Sequence, residues 1–197
     1  SNINNFKLYG DEIVIVDSAH CVTPQISADY IFFSFHPYKP ICASDGGMIS
    51  TENQEAADYF RSYKNFGREP QDNSYTVKKD GFKFYMNNLN ATIALTQIEN
   101  YTNNLNHRTL NFQKLQQKYK LLTHDYNSSY YFATTLVNNA DEIINKHNIS
   151  RHYPMLHTMS YYQISKYRKL PNLEKIHNKI LNLPLYTDKE YENICNS

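Results

Sequence analysis

Asp17, Ser34 and Lys39 are the residues of this chain whose types and spacing could do chemistry together. Lys39 stands in "SFHPYKPICASDGGMIST" (34–51) between Pro37 and Pro40, which hold the backbone extended or turned and bar a regular helix through it. A lysine amine held in such a loop can form a Schiff base with an aldehyde. A carboxylate beside it can keep a heterocyclic nitrogen protonated. Pyridoxal phosphate (PLP) uses this pair, a lysine for its aldehyde and an acid for its pyridinium nitrogen, which makes the ring an electron sink. The Ser34 hydroxyl, five residues before Lys39, can serve the phosphate, and Gly46 and Gly47 permit close backbone approach. The pattern taken alone leaves open the ordinary alternative of a solvated surface lysine.

Two strands must position these groups. "EIVIVD" (12–17) is an apolar run ending in a carboxylate and reads as a buried strand with Asp17 at its carboxyl end. "YIFFSF" (30–35) reads as a second strand, buried on both faces, with Lys39 in the loop at its exit. Loops at the carboxyl ends of strands in an α/β sheet are where ligands bind. If the two strands run parallel, Asp17 and Lys39 share one sheet edge. "GGMIST" (46–51) follows as a hairpin-like third strand, and "NQEAADYFRSYKNF" (53–66) as a helix capped by Asn53. Residues 68–88 are polar and read as a loop.

From Leu89 the apolar positions Ile93, Ile98, Tyr101, Leu105, Phe112, Leu115, Tyr119 and Leu122 recur mostly in steps of three and four. They predict one long helix, or two nearly continuous ones, serving as scaffold. "YYFATTLV" (130–137) reads as a strand, "ADEIINKHN" (140–148) as a helix, and "NLEKIHNKILNLPLY" (172–186) as a helix running into a proline-terminated segment. The expected division is a large-domain part over 1–88, connecting helix or helices over 89–122, and a small α+β domain over 123–197. The fold class is α/β with a mainly parallel sheet.

Bulk composition narrows the function classes. Twenty Lys plus Arg against 19 Asp plus Glu give a net charge of +1, with no basic excess to expect nucleic acid or an anionic membrane as partner. No apolar run approaches the ~20 residues of a membrane span, and no signal-peptide pattern opens the chain. The three cysteines, Cys21, Cys42 and Cys195, are odd in number and lack metal-site spacing, so they read as reduced thiols of a cytoplasmic protein.

"IVIVDSAHCV", "FFSFHPYKPICASDGGMIST", "DGFKFYMNNLNATIALTQIE" and "ILNLPLYTDKEYENIC" resemble, in order and spacing, four blocks of the DegT/DnrJ/StrS family of PLP-dependent nucleotide-sugar aminotransferases. The resemblance covers nearly the whole chain and corresponds to the C-terminal portion of such an enzyme. It implies part of a fold-type I PLP-transferase large domain followed by the small domain. It also implies PLP as cofactor, a nucleotide-linked keto sugar (a 4-keto-6-deoxyhexose) as acceptor, an amino-acid donor such as glutamate, and a homodimer. Lys39 then corresponds to the Schiff-base lysine and catalytic base, and Asp17 to the acid at the pyridine nitrogen. His20 matches the Gln or His beside the ring's phenolic oxygen, and Ser34 a phosphate-binding serine. Where many members read Gly-Tyr-Asn-Tyr-Arg, this chain reads "GFKFY" (81–85), so Lys83 takes a place from which the family reaches a neighbouring subunit's phosphate. A lysine can bind phosphate there, but only as a point charge.

His152 and His157 in "HYPMLH" suggest a metal pair, yet no carboxylate or cysteine spacing supports one, and no metal is expected. The resemblance implies substrate contacts near this segment, with ordinary packing the alternative. His36 reads as a structural residue of the Lys39 loop. Two other functions stay open. One is a different PLP reaction on the same scaffold, such as sugar deoxygenation, in which histidine replaces the lysine that is present here. The other is a truncated, non-catalytic copy acting as an interaction module.

Overall fold

Local signals set the element boundaries. The Asn53 side chain accepts a hydrogen bond from Ala56 N at 3.0 Å and starts α1 (Gln54–Tyr63). Asn87 does the same for α2 (Asn88–Glu99), accepting from Asn90 N at 2.9 Å. Asn100 interrupts the helical path with φ −92° and ψ 4°, and α3 (Tyr101–Gln116) resumes one residue later. The apolar steps from Leu89 thus form two nearly continuous helices. The computed structural model describes residues 12–22, 27–69, 75–122, 128–161 and 169–185. Cys195 and the end of the block beginning "ILNLPLY" lie outside the described residues.

The chain divides into two compact units, Ser1–Tyr101 and Thr102–Ser197. In the first, β1 (Ile15–Asp17), β2 (Tyr30–Ser34) and β3 (Gly47–Ser50) form a sheet in that order. β1 and β2 are parallel, with Asp17 opposite Phe32. β3 returns antiparallel to β2, with Gly47 opposite Ser34. Gly47 must stay small here, since a Cβ would come within 2.5 Å of the Phe33 carbonyl oxygen. The core of this unit is Phe35, Ile41, Ala43 and Ala94, with Val22, Phe33, Met86 and Tyr101 packed against it.

Burial differs from the sequence expectation in the strands. β1 and β2 read as buried runs, but Ile15 is 63% exposed and Phe32 is 37% exposed. An apolar run states that a strand needs covering and does not supply the cover. Among the described residues nothing packs over these side chains to the degree the sequence suggests. α2 shows the same mismatch: Leu89 is 78% exposed, and Ile93 and Ile98 are exposed as well, while the small Ala94 is buried.

In the second unit β4 (Phe132–Leu136) pairs antiparallel with β5 (Ile180–Pro184), with Thr134 opposite Asn182. α4 (Ala140–His147) and α5 (Pro171–His177) complete the α+β arrangement. α5 ends at His177, and the proline-terminated segment that follows it, Ile180–Pro184, is drawn into the ladder with β4. Leu181, Leu183 and Leu185 are almost wholly buried and pack with Phe112, Leu115, Leu121, Ala133, Ala140 and Ile143. Asn182, within that apolar run, is buried with its amide satisfied. It donates to Thr134 Oγ1 at 3.0 Å and accepts from His152 N at 2.9 Å.

Backbone crossing fixes the loop after α1. Gly67 has φ +72°, and a Cβ there would lie 1.7 Å from the Lys79 carbonyl oxygen. Gly67→Ala combines left-handed strain with a backbone clash, so it should lower the unfolding free energy by about 2 kcal/mol or more. Urea denaturation of the variant measures this; a loss below ~0.5 kcal/mol, the usual span of a surface change, would show that the crossing is not as tight as described.

Candidate functional site

The first side of the site is the turn that ends β1. Ser18 N donates to Phe32 O at 2.8 Å and extends the parallel ladder by one step, which ties the turn to β2. The Asp17 carboxylate accepts from Ala19 N at 2.9 Å, and Cys21 N closes on Ser18 O at 3.2 Å. The Ser18 hydroxyl, on a buried side chain, donates to the Cys21 carbonyl. "DSAHC" is therefore a compact turn that presents Asp17 and His20 together.

The second side is the loop leaving β2. Phe35 N donates to Gly46 O and Ala43 N to Phe35 O, both at 2.9 Å, so the loop closes at its base. Phe35, Ile41 and Ala43 are buried on either side of Lys39. At the tip, Lys39 N donates to His36 O at 2.9 Å, and Tyr38 N to His36 Nδ1 at 3.4 Å. His36 thus spans the turn, in keeping with a structural role. Ser34 Oγ accepts from His36 N at 3.3 Å at the loop's start.

The two sides meet at Lys39, whose Nζ lies 2.7 Å from His20 Nε2. Burial pushes the Lys39 amine below the usual lysine value by disfavouring the ammonium, while the nearby Asp17 carboxylate pulls the other way. A cleft of about 340 Å³ adjoins Asp17 and Ser34, lined by Ile15, Asp17, Ala19, Phe32, Phe33 and Ser34, with His20 and Lys39 outside its lining. Its walls are apolar side chains carrying one carboxylate and one hydroxyl, a lining suited to a flat ring with polar substituents. Asp17, His20, Ser34 and Lys39 thus lie around one sheet edge. The wall residues Ala19, Phe32 and Phe33 were not singled out by the sequence reading; the parallel register, which sets Phe32 beside Asp17, is the signal that could have found them.

Lys83 is exposed and absent from the cleft lining. Its segment is held against the end of α1, with Phe82 N donating to Tyr63 O at 2.7 Å and Phe84 N to Lys64 O at 2.9 Å. Its Nζ sits 5.7 Å from the Tyr85 ring centroid, with exposed Phe82 and Phe84 stacked at 5.2 Å beside it.

His152 and His157 belong to the second unit. The His152 ring packs 4.4 Å from Phe132, and its backbone N–H is held by Asn182. His157 Nε2 meets Glu174 Oε1 at 3.3 Å, and the same oxygen accepts from Leu170 N at 3.1 Å. Both rings are thus engaged in packing or hydrogen bonds. Among the described residues no group of three His, Cys, Asp or Glu side chains could hold a metal ion. No described helix is long and apolar enough to cross a membrane.

The family model of the DegT/DnrJ/EryC1/StrS aminotransferases matches residues 13–196. Solved structures share the fold at low identity. A Streptococcus pneumoniae protein named as a sugar aminotransferase, in its PMP form, superposes with a TM-score of 0.77 at 21% identity and covers 92% of this chain, which spans 54% of it. Helicobacter pylori PseC, an aminotransferase of pseudoaminic acid biosynthesis, gives 0.75 at 20% identity, with 92% of this chain and 56% of PseC covered. DesI, crystallised in the presence of its TDP-sugar product, gives 0.72 at 20% identity, with 91% and 52% covered. The chain therefore spans little more than half the length of the structures it matches, and its mixed α/β fold is that of this part of them.

The balance at Lys39 has a testable sign. Burial lowers the amine's titration and Asp17 raises it, so Asp17→Asn should move the Lys39 titration further below the ordinary lysine value of 10.5. The pH dependence of Lys39 acetylation, followed by peptide mass spectrometry, reads this directly. A midpoint that rises or stays put in the variant would contradict the electrostatics described.

Proposed function

Because the chain belongs to the DegT/DnrJ/EryC1/StrS aminotransferase family, we propose that it forms part of a PLP-dependent aminotransferase acting on a nucleotide-linked keto sugar. The observation that carries this reading is the Lys39 amine, partly desolvated beside Asp17 and 2.7 Å from His20, at the carboxyl ends of two parallel strands. The donor set suits the cofactor. Lys39 offers a primary amine to an aldehyde, Asp17 a carboxylate to a ring nitrogen, Ser34 a hydroxyl to a phosphate, and the Phe32 and Phe33 side an apolar wall to the ring. When bound, PLP would supply an electron sink and a carrier for the amino group.

The remaining work falls to side chains. Asp17, fixed by its bond from Ala19 N, would hold the proton on the ring nitrogen. Lys39 acts as general base, taking the proton from the α-carbon of the amino donor; a lowered amine titration raises the deprotonated fraction available for that step. His20 would hold the ring's phenolic oxygen and Ser34 the phosphate. Glutamate as donor, a 4-keto-6-deoxyhexose as acceptor, and substrate contact by His152 and His157 complete the proposal. PseC and DesI, named for sugar chemistry, support the acceptor class. A cytoplasmic setting is also part of it.

The assembly we assign is a homodimer in which the "GFKFY" loop, with Lys83, serves the phosphate site of a second copy. The exposed, stacked Phe82 and Phe84 favour a covered position for this loop. Phe84→Asp should therefore shift the intact protein from dimer to monomer in sedimentation velocity; a cofactor-loaded wild-type monomer would refute the assembly.

The chemistry is tested by following cofactor absorbance on adding L-glutamate to the loaded protein. Lys39→Ala should abolish the change, and Asp17→Asn should slow it by orders of magnitude in a protein that remains folded. Near-normal conversion by either variant would overturn the assigned roles.

A further inference from the structure

The geometry points to His20 as the positioning residue of Lys39: its ring nitrogen Nε2 accepts a hydrogen bond from Nζ and holds the amine at the cleft before any carbonyl ligand arrives. The inference rests on the proposed use of Lys39 as an amine nucleophile, and goes beyond the role of His20 beside a bound ring.

An unrestrained lysine spreads its amine over many rotamers, and fixing it costs side-chain entropy. The backbone at Lys39 is set by Pro37, Pro40 and the bond to His36 O, but that leaves the side chain to find its own direction. The 2.7 Å contact to His20 Nε2 supplies one. As an ammonium Nζ can only donate, and the acceptor is then the neutral ring with its proton on Nδ1. His20 is itself fixed by the "DSAHC" turn, whose Ser18 N to Phe32 O bond links it to β2, the strand from which the Lys39 loop departs. One turn thus delivers both the carboxylate that sets the charge balance of Lys39 and the acceptor that sets its direction.

Two readouts on the intact, cofactor-free protein test this. In ¹⁵N-histidine NMR, His20 should show the Nδ1–H tautomer, and Lys39→Met should return it to the Nε2–H form that a ring lacking such a donor prefers. The same tautomer in both proteins would overturn the inference, whatever the cofactor does. In stopped-flow absorbance with added PLP, His20→Ala should slow capture by at least about tenfold, since small losses of alignment are costly in rate. His20→Gln, whose amide oxygen can still accept from Nζ, should recover most of that loss. Equal capture rates in wild type and His20→Ala would also overturn it. Failure of the wild type itself to capture PLP would count against the proposed function, and the tautomer measurement would then decide the role of His20 separately.

Discussion

The site depends on how the loop after β2 is pinned. Phe35, Ile41 and Ala43 sink into the core on both sides of Lys39, and two backbone bonds to Phe35 and Gly46 close the loop beneath it. Burying a Phe or Ile side chain contributes roughly 1.5–3 kcal/mol each. That is enough to hold a short loop whose tip carries a group that would gain by moving into water. Pro37 and Pro40 reduce the alternatives open to the unfolded chain. Lys39 is therefore kept partly desolvated by anchors elsewhere in the loop, and its altered titration follows from where its neighbours are buried.

Parallel pairing is the second constraint. It sets the ends of β1 and β2 side by side, so that a turn and a loop nineteen residues apart in sequence meet at His20 and Lys39. An antiparallel β1 would send Asp17 to the other end of the sheet. The ladder continues through Ser18 N to Phe32 O, and that added step holds the Asp17–His20 turn in register with the strand from which Lys39 departs.

Much of this could be read from the residues. The two apolar runs, the prolines around Lys39 and the Asn53 cap all appear where their chemistry requires, as does the antiparallel return after Gly46. The cover over the strands could not be read. Apolar periodicity reports which faces need burial, and Ile15, Phe32, Leu89 and Ile93 need it without receiving it among the described residues. The bond between His20 and Lys39 was also illegible, because no local pattern encodes a contact created by strand pairing. In the second unit, Asn182 looked like an interruption of an apolar run; its burial makes sense only once Thr134 and the His152 backbone are seen to satisfy it.

Everything proposed for the site turns on Lys39 as the amine that engages an aldehyde cofactor. The most direct measurement is borohydride reduction of the PLP-loaded intact protein, followed by proteolysis and mass spectrometry of the labelled peptide. The reduced cofactor is expected on Lys39, in the peptide containing "HPYKP", with no label at that peptide in Lys39→Ala. Label confined to another lysine, such as Lys79 or Lys83, with Lys39 unmodified, would contradict it.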